Sequence, residues 1–197
     1  MKKTAFLLFI VSVITWGQFT QPKANEGILT GGMGLTWIDG NPHYTVRMMP
    51  EFGFANFGVG LDLNLEFDSK GKLRKENFNE TSDYLSIIRY ARYGQKKDPV
   101  YVRLGALDYA TLGHGTVMYM YNNSPSFDTR KIGLEFDVDF SKFGFESVYG
   151  SFGEGGVLGL RGYVRPLQFT DLAAVPVIGN LEVGAAFATD FHENAGI

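Results

Sequence analysis

Between residues 55 and 67 apolar and polar side chains alternate without interruption. Ala55, Phe57, Val59, Leu61, Leu63, Leu65 and Phe67 fall on one side, with Asn56, Gly58, Gly60, Asp62, Asn64 and Glu66 on the other. A period of two is the side-chain period of a β-strand, so the segment predicts a strand with one apolar and one polar face. Residues 131–140 repeat the pattern, setting Ile132, Leu134, Phe136, Val138 and Phe140 against Lys131, Gly133, Glu135, Asp137 and Asp139.

Six further segments read the same way. Residues 27–38 place Leu29, Met33, Leu35 and Trp37 opposite Thr30, Gly32, Gly34 and Thr36, and Asp39-Gly40-Asn41 then supplies residue types that tolerate positive φ in a tight turn. Residues 42–52 oppose Tyr44, Val46, Met48 and Phe52 to Thr45, Arg47 and Glu51. A short bend at 53–56 leads into the 55–67 run. Residues 99–107 set Val100, Val102, Leu104 and Ala106 against Tyr101, Arg103 and Gly105. Residues 143–152 form a hairpin with 131–140 through Ser141-Lys142. After a glycine-rich turn at 153–156, residues 157–165 oppose Leu158, Leu160 and Val164 to Arg161, Tyr163 and Arg165. Residues 178–190 carry Leu181, Val183, Ala185 and Phe187 on one side. The expected strands are therefore about eight, of a length near the roughly nine to eleven residues that a tilted strand needs to cross a bilayer.

The connections differ from one another. Residues 73–98 are charged, and Tyr84, Leu85, Ile87, Ile88 and Ala91 recur at helical spacing after a cap at Ser82 or Asp83, which predicts a long connection with a short helix; a strand over 84–93 is the competing reading. Residues 107–125 are rich in glycine and tyrosine, and 168–176 read as a loop. The usual asymmetry of outer-membrane barrels would put the tight turns 39–41, 141–142 and 153–156 on the periplasmic side and the long connections outside, with the 73–98 helix lying inside as a plug the alternative.

Two arrangements satisfy such strands. In a soluble barrel or sandwich the apolar rows make the core; in a membrane barrel they meet lipid and the polar rows face inward. The polar rows here hold many glycines and charges of both signs, and aromatics gather near strand ends, as interfacial girdles require. Met1-Lys2-Lys3 and the apolar run of residues 5–14 predict a cleaved signal peptide over residues 1–20, leaving one domain over 21–197. The chain has no cysteine, which excludes disulfides, thiolate metal sites and lipid attachment through cysteine. Its net charge of −3 and lack of basic clusters argue against nucleic acid as a partner. No apolar run beyond residue 16 is long enough for a spanning helix.

The expected fold is thus all-β, an antiparallel up-and-down transmembrane β-barrel meander in the bacterial outer membrane. Candidate lumen-lining residues are Arg47, Glu51, Asp62, Glu66, Arg103, Glu135, Asp137, Asp139, Arg161 and Arg165. Opposed rows of acids and arginines would give a charged lumen for small polar solutes or ions. Alternatively Arg161 and Arg165 pair with the row Glu135, Asp137 and Asp139 across the lumen and fill it. Catalysis is not expected: His43, His114 and His192 are far apart, and neither Ser147 nor Ser151 can be matched to a histidine base on sequence grounds. No cofactor or metal is expected. Rival readings are a soluble exported binding barrel of lipocalin type and, third, a membrane-embedded hydrolase.

The runs Gly58-Val59-Gly60-Leu61-Asp62-Leu63-Asn64-Leu65, Gly105-Ala106-Leu107-Asp108, Leu112-Gly113-His114-Gly115 and Gly159-Leu160-Arg161 resemble uncharacterised porin-like outer-membrane β-barrel families of Gram-negative bacteria. The resemblance implies location and architecture, with outer-membrane lipid and the barrel-assembly machinery as partners, and no catalytic residue. Such barrels commonly end on an aromatic residue, whereas the last residues here are His192-Glu193-Asn194-Ala195-Gly196-Ile197, so the sequence is expected to be the amino-terminal part of a larger barrel, with an eight-strand closed barrel as the alternative.

Overall fold

Asp39 and Gly40 both adopt positive φ, 51° and 77°, the combination that a two-residue type I′ hairpin turn requires. They join β1 (Gly27–Ile38) to β2 (Asn41–Phe54), which pair antiparallel over the whole length of β1. The computed structural model describes residues 21–79, 84, 86–125, 130–153 and 155–191. The expected signal peptide, the cap candidates Ser82 and Asp83, and the tail from His192 to Ile197 lie outside the described residues. The chain divides into two compact units, Met1–Ile88 and Arg89–Ile197.

In the first unit, β3 (Phe57–Leu61) and β4 (Leu63–Phe67) both lie along the second edge of β2. The expected unbroken strand 55–67 is therefore two pieces, entered through a turn at Ala55 with φ 50°. The reason for the break lies in the neighbouring strand. Glu51 opposite Gly60 and Met48 opposite Leu63 keep one register, which brings Pro50 opposite Leu61. Proline has no N–H to give the ladder. Asp62 leaves the pairing there, and its N–H donates to the Ile87 carbonyl at 2.8 Å.

The helical spacing after Tyr84 resolves differently from the expectation. Tyr84 and Ser86 are helical, but β5 (Ile88–Tyr93) is a strand, so the competing strand reading holds for its later part. Tyr90 and Arg92 then share one face, and the strand pairs with β6 (Val100–Gly105) from Tyr90–Gly105 to Tyr93–Val102. Next come β7 (Gly133–Asp139), β8 (Phe143–Tyr149), β9 (Val157–Val164) and β10 (Val183–Asp190), each antiparallel to the one before. The ten strands are all antiparallel, an all-β up-and-down meander. Neither unit closes on itself among the described residues. β10 starts at Val183 and not at 178, because Ile178–Asn180 wind into a 3-10 turn closed by the Leu181 N–H on the Ile178 carbonyl.

A meander places successive connections at alternate ends. The β7–β8 turn and the β9–β10 connection therefore share one end of the second unit: the Arg165 N–H donates to the Lys142 carbonyl at 2.7 Å. The β6–β7 and β8–β9 connections share the other end. Tight turns 141–142 and 153–156 thus lie at opposite ends, and the expected sorting of tight turns to one side and long connections to the other fails here.

Residues 107–125 do not extend away from the sheet as a free loop either. They double back as a narrow hairpin, with Ala110 and Tyr121 exchanging both backbone hydrogen bonds and the Leu112 N–H donating to the Met118 carbonyl at 3.1 Å. Leu107, Ala110, Leu112 and Met118 pack with Val148 of β8 into an apolar cluster flanked by Tyr121 and Val157.

Candidate functional site

From β3 to β9 the strands bury their polar faces. Asp62, Glu66, Arg92, Arg103, Glu135, Asp137 and Arg161 are all buried. Apolar residues that alternate with them, Leu104 of β6 and Phe136 of β7, are exposed, as is Phe143 of β8; β10 exposes Phe187, and β1 exposes both faces, with Met33 86% accessible and Leu29, Leu35 and Trp37 opposite the exposed Gly32, Gly34 and Thr36. A water-soluble domain does the reverse, since apolar surface gains about 25 cal/mol per Å² on leaving water and an unpaired buried charge is costly.

Burial of charge is tolerable only where partners are supplied. In the first unit Arg47 of β2 grips Asp62 with two hydrogen bonds, Nε to Oδ1 at 2.9 Å and Nη2 to Oδ2 at 2.6 Å. The carboxylate is 1% exposed while the arginine is 42% exposed, so the pair spares the deeply placed charge and leaves the guanidinium partly wet. Glu66 accepts from Arg74 Nη1 at 3.1 Å and from Asn64 Nδ2 at 3.4 Å. Glu51 is half-buried on the same face of β2.

The second unit carries a longer network. Ladder register aligns Tyr101, Asp137, Glu146 and Arg161 in one row across β6, β7, β8 and β9. Lys96, from the β5–β6 connection, reaches Glu135 at 3.0 Å and Asp137 at 2.8 Å. Burial alone would depress the Lys96 ammonium, but Glu135 and Asp137 outweigh it and raise its pKa. The Tyr101 hydroxyl donates to Glu135 at 3.2 Å. Arg103 donates to Asp108 at 2.8 Å and to the Ala106 carbonyl at 3.0 Å, with its guanidinium 3.9 Å from the Tyr90 ring centre. Arg161 bridges Glu146 at 2.9 Å and Glu182 at 2.7 Å. Arg165 bridges Asp139 and Glu182, both at 2.8 Å. Both guanidiniums flank the Tyr163 ring, 4.5 and 5.1 Å from its centre. Burial pushes the Glu182 carboxyl up, and the hydrogen bonds from Arg161 and Arg165 overcome it, holding the group below its ordinary value.

The 107–125 hairpin is fastened to this face at two points. At its base, where its two ends meet, Asn123 is buried and accepts from the Leu107 N–H at 2.8 Å while donating to the Gly150 carbonyl at 2.8 Å. At its tip, the Gly113 N–H donates to Glu146 at 2.6 Å, so one carboxylate serves both Arg161 and the hairpin. Gly113 sits at φ 54° directly against the Arg161 guanidinium, a close approach that only glycine permits. Glycines on the strands make room from the other side: a Cβ on Gly159 would lie 2.7 Å from Leu112 Cδ1.

The ten candidate residues are therefore separated by the fold into two groups. Arg47, Glu51, Asp62 and Glu66 belong to the first unit. Arg103, Glu135, Asp137, Asp139, Arg161 and Arg165 belong to the second. The expected pairing of Arg161 and Arg165 with the acidic row is half right. Arg165 does take Asp139, but Arg161 turns to Glu146 and Glu182, and Glu135 and Asp137 are held by Lys96. These pairs join strands and connections of one sheet, as far apart as β7 and the end of β9, and do not cross a lumen.

Sequence reasoning passed over Lys96, Asp108, Glu146 and Glu182. Glu146 had a signal, since period two from Gly144 places it on the glycine face of β8; Lys96, Asp108 and Glu182 sit in connections, where no periodicity applies. Elsewhere, the Ser147 hydroxyl donates to the Phe136 carbonyl at 2.8 Å, and His43 Nδ1 lies 3.1 Å from the Asn41 carbonyl. His114 is exposed at the hairpin tip, and Ser151 is buried at the β8–β9 turn. Among the described residues no group of three or more histidines and carboxylates is placed to hold a metal ion.

The fold and this buried charged face define an all-β antiparallel meander with its polarity turned inside out, and no described helix is long and apolar enough to cross a membrane. No protein-family model, no curated protein and no solved structure matches the chain.

Proposed function

We propose that the chain is an outer-membrane β-barrel protein, porin-like in architecture, whose apolar rows contact lipid and whose charged rows line the interior. The observation that carries this reading is the inverted burial from β3 to β9: Asp62, Glu66, Arg103, Glu135, Asp137 and Arg161 are withdrawn and paired, while Phe57, Leu104, Phe136 and Phe143 stand exposed. The lipocalin-type alternative calls for those apolar rows to meet in a dry interior, the opposite arrangement.

Strand length and girdles support the same reading. Hydrogen bonds extend the β7–β8 pairing past the strand ends, from Phe152 on Ile132 to Phe140 on Phe143. Residues 132–140 thus span roughly 26 Å at about 3.3 Å per residue, near the height of the apolar band of such barrels. Aromatic pairs mark both limits: Tyr149 with Phe152, ring centres 5.1 Å apart, and Phe140 with Phe143 at 5.3 Å. In lipid, the outer edges of β1 and β10 must also be paired, because hydrocarbon offers backbone N–H and C=O groups no partner.

Within the second unit the interior is largely filled. The ion pairs occupy the strand face and the 107–125 hairpin covers it, so small polar solutes or ions would pass beside the hairpin's exposed side, where His114, Thr116 and Tyr119 stand. Two measurements test the proposal. Washing envelopes with carbonate or urea should leave the protein behind and detergent should release it; release without detergent rejects the membrane assignment. The full chain reconstituted in planar bilayers should then show ion conductance, and silence under all conditions rejects the channel while leaving a structural barrel.

A further inference from the structure

Between the paired Arg165 and Glu182 of the β9–β10 connection, the segment of residues 166–181 does not look like a loop meant for water. Asp171 is its only charged residue. Phe169 is 60% exposed, Val177 84% and Leu181 57%, with Leu172 and Ile178 close to half exposed. A solvated loop of this length normally presents polar side chains.

Its backbone is also unusually self-contained. Three short 3-10 turns, Pro166–Phe169, Asp171–Ala174 and Ile178–Asn180, follow one another. The N–H groups of Gln168, Thr170, Ala173, Val175, Ile178, Gly179, Asn180 and Leu181 all donate to carbonyls within the segment or at its neck. The Gln168 side chain donates to the Gly179 carbonyl at 2.8 Å and closes the coil across its middle. Gly179 is buried, and a Cβ there would meet the Ala173 carbonyl oxygen at 2.5 Å. The neck is fixed by Arg165 on Glu182. The result is a compact Ω-type knob with apolar side chains outside and hydrogen bonds inside.

We propose that this knob is a membrane-interface element: residues 166–181 lay Phe169, Leu172, Val177, Ile178 and Leu181 into the headgroup–acyl boundary of the bilayer that the strands cross. The inference rests on the membrane-barrel reading above. Three features favour lipid as the occupant. The knob continues the exposed apolar row of β10, through Val183 and Phe187, and adjoins the Phe140–Phe143 girdle by way of Lys142. The Lys142 ammonium sits 4.9 Å from the Phe169 ring centre, a cation beside an aromatic anchor, as at membrane surfaces. And a segment that satisfies most of its own backbone N–H groups suits a low-dielectric boundary, where water is not at hand to do so.

The test uses tryptophan as a depth probe in the full chain. With Trp16→Phe and Trp37→Phe as background, Phe169→Trp reports on the knob, Ile178→Trp is a second reporter in case the first variant folds poorly, and Phe187→Trp marks the strand row. Each protein is refolded into phosphatidylcholine vesicles with bromine placed either shallow or deep on the acyl chains. The knob reporters should lose about half their emission to shallow bromine, as expected for immersion of about 5–10 Å, with Phe187→Trp quenched as well. Quenching of Phe187→Trp alone overturns the interface proposal and leaves the barrel standing. No quenching of any reporter removes the membrane reading and the proposal together. A knob reporter that is shifted by a protein from the envelope but not by bromine overturns lipid in favour of a protein partner.

Discussion

Asp137 and Glu146 stand directly opposite each other on β7 and β8, two carboxylates in register on the buried face. Like charges in that position repel. They are held there from either side, Asp137 by Lys96 at 2.8 Å and Glu146 by Arg161 at 2.9 Å. The network is therefore a chain of mutual dependence, in which a loop lysine neutralises one strand and a β9 arginine the next.

Removing Lys96 should expose that dependence. Lys96→Met leaves Glu135 and Asp137 buried without their cation, and losing one partner of a buried pair costs about 3–5 kcal/mol. Adding Asp137→Asn should recover a large part of the loss, because the remaining carboxylate still has the Tyr101 hydroxyl. Urea unfolding of both variants in vesicles measures the difference; equal stability of Lys96→Met and the parent would remove Lys96 from the network.

Glu182 gives the network a pH signature. Its folded pKa lies below its unfolded one, so the carboxylate contributes stability that is present above the unfolded value and is lost as pH falls through the folded value. Stability followed from pH 7 down to pH 3 should decline, and Glu182→Gln should flatten that decline by the share this group supplies. A decline unchanged by the substitution would assign the acid sensitivity to other carboxylates.

How far the sequence foretold this depends on what carries the signal. β1 appears with its expected limits, since Leu29, Met33, Leu35 and Trp37 keep one face and Asp39-Gly40 stops the strand. β5 was obscured because Arg89-Tyr90-Ala91-Arg92-Tyr93 sets tyrosine on both faces, which erases the contrast that period two needs. The break at Asp62 was invisible for another reason: its cause, Pro50, lies on the neighbouring strand and acts only once register is fixed. The charged face itself was legible strand by strand. Its pairing was not, because Lys96 and Glu182 arrive from connections whose paths no local pattern encodes.

The hairpin over residues 107–125 should loosen before the strands do. Asn123→Ala leaves the Leu107 N–H and the Gly150 carbonyl without the side chain that joins them, at a cost of about 1–3 kcal/mol. Amide exchange should quicken across the hairpin with the β7–β9 ladders still protected, and bilayer conductance should rise as the segment swings aside. Exchange that quickens equally in the strands would make Asn123 a general fold determinant and not a latch.

Two glycine substitutions should differ sharply. Gly53→Ala points its new methyl at the Lys23 carbonyl, backbone that is itself tied to β2 by the Asn25 N–H on the Gly53 carbonyl at 2.8 Å. Gly159→Ala meets the ends of Leu112 and Met118, which can rotate away. Overpacking against fixed atoms costs about 1–3 kcal/mol, so Gly53→Ala should destabilise by that much and Gly159→Ala by clearly less. Denaturant midpoints of the pair decide it, and the reverse order would show that residues 22–26 yield more easily than the hairpin.

Phe136 lies midway between the two aromatic girdles of the β7–β8 hairpin, on the exposed face. If that face meets hydrocarbon, Phe136→Arg puts a charge near the bilayer midplane, where the cost is about 2–4 kcal/mol and falls off toward the interfaces. The same arginine at Phe143, beside the girdle, should then cost far less, since its long stem reaches the headgroups. In water the ranking disappears: an exposed phenylalanine replaced by arginine on a soluble sheet is close to neutral at both positions. Folding yield into vesicles, compared for the two variants, therefore reads the surrounding medium directly. A deep gradient from Phe143 to Phe136 belongs to lipid, and no gradient at all would return the apolar rows to water.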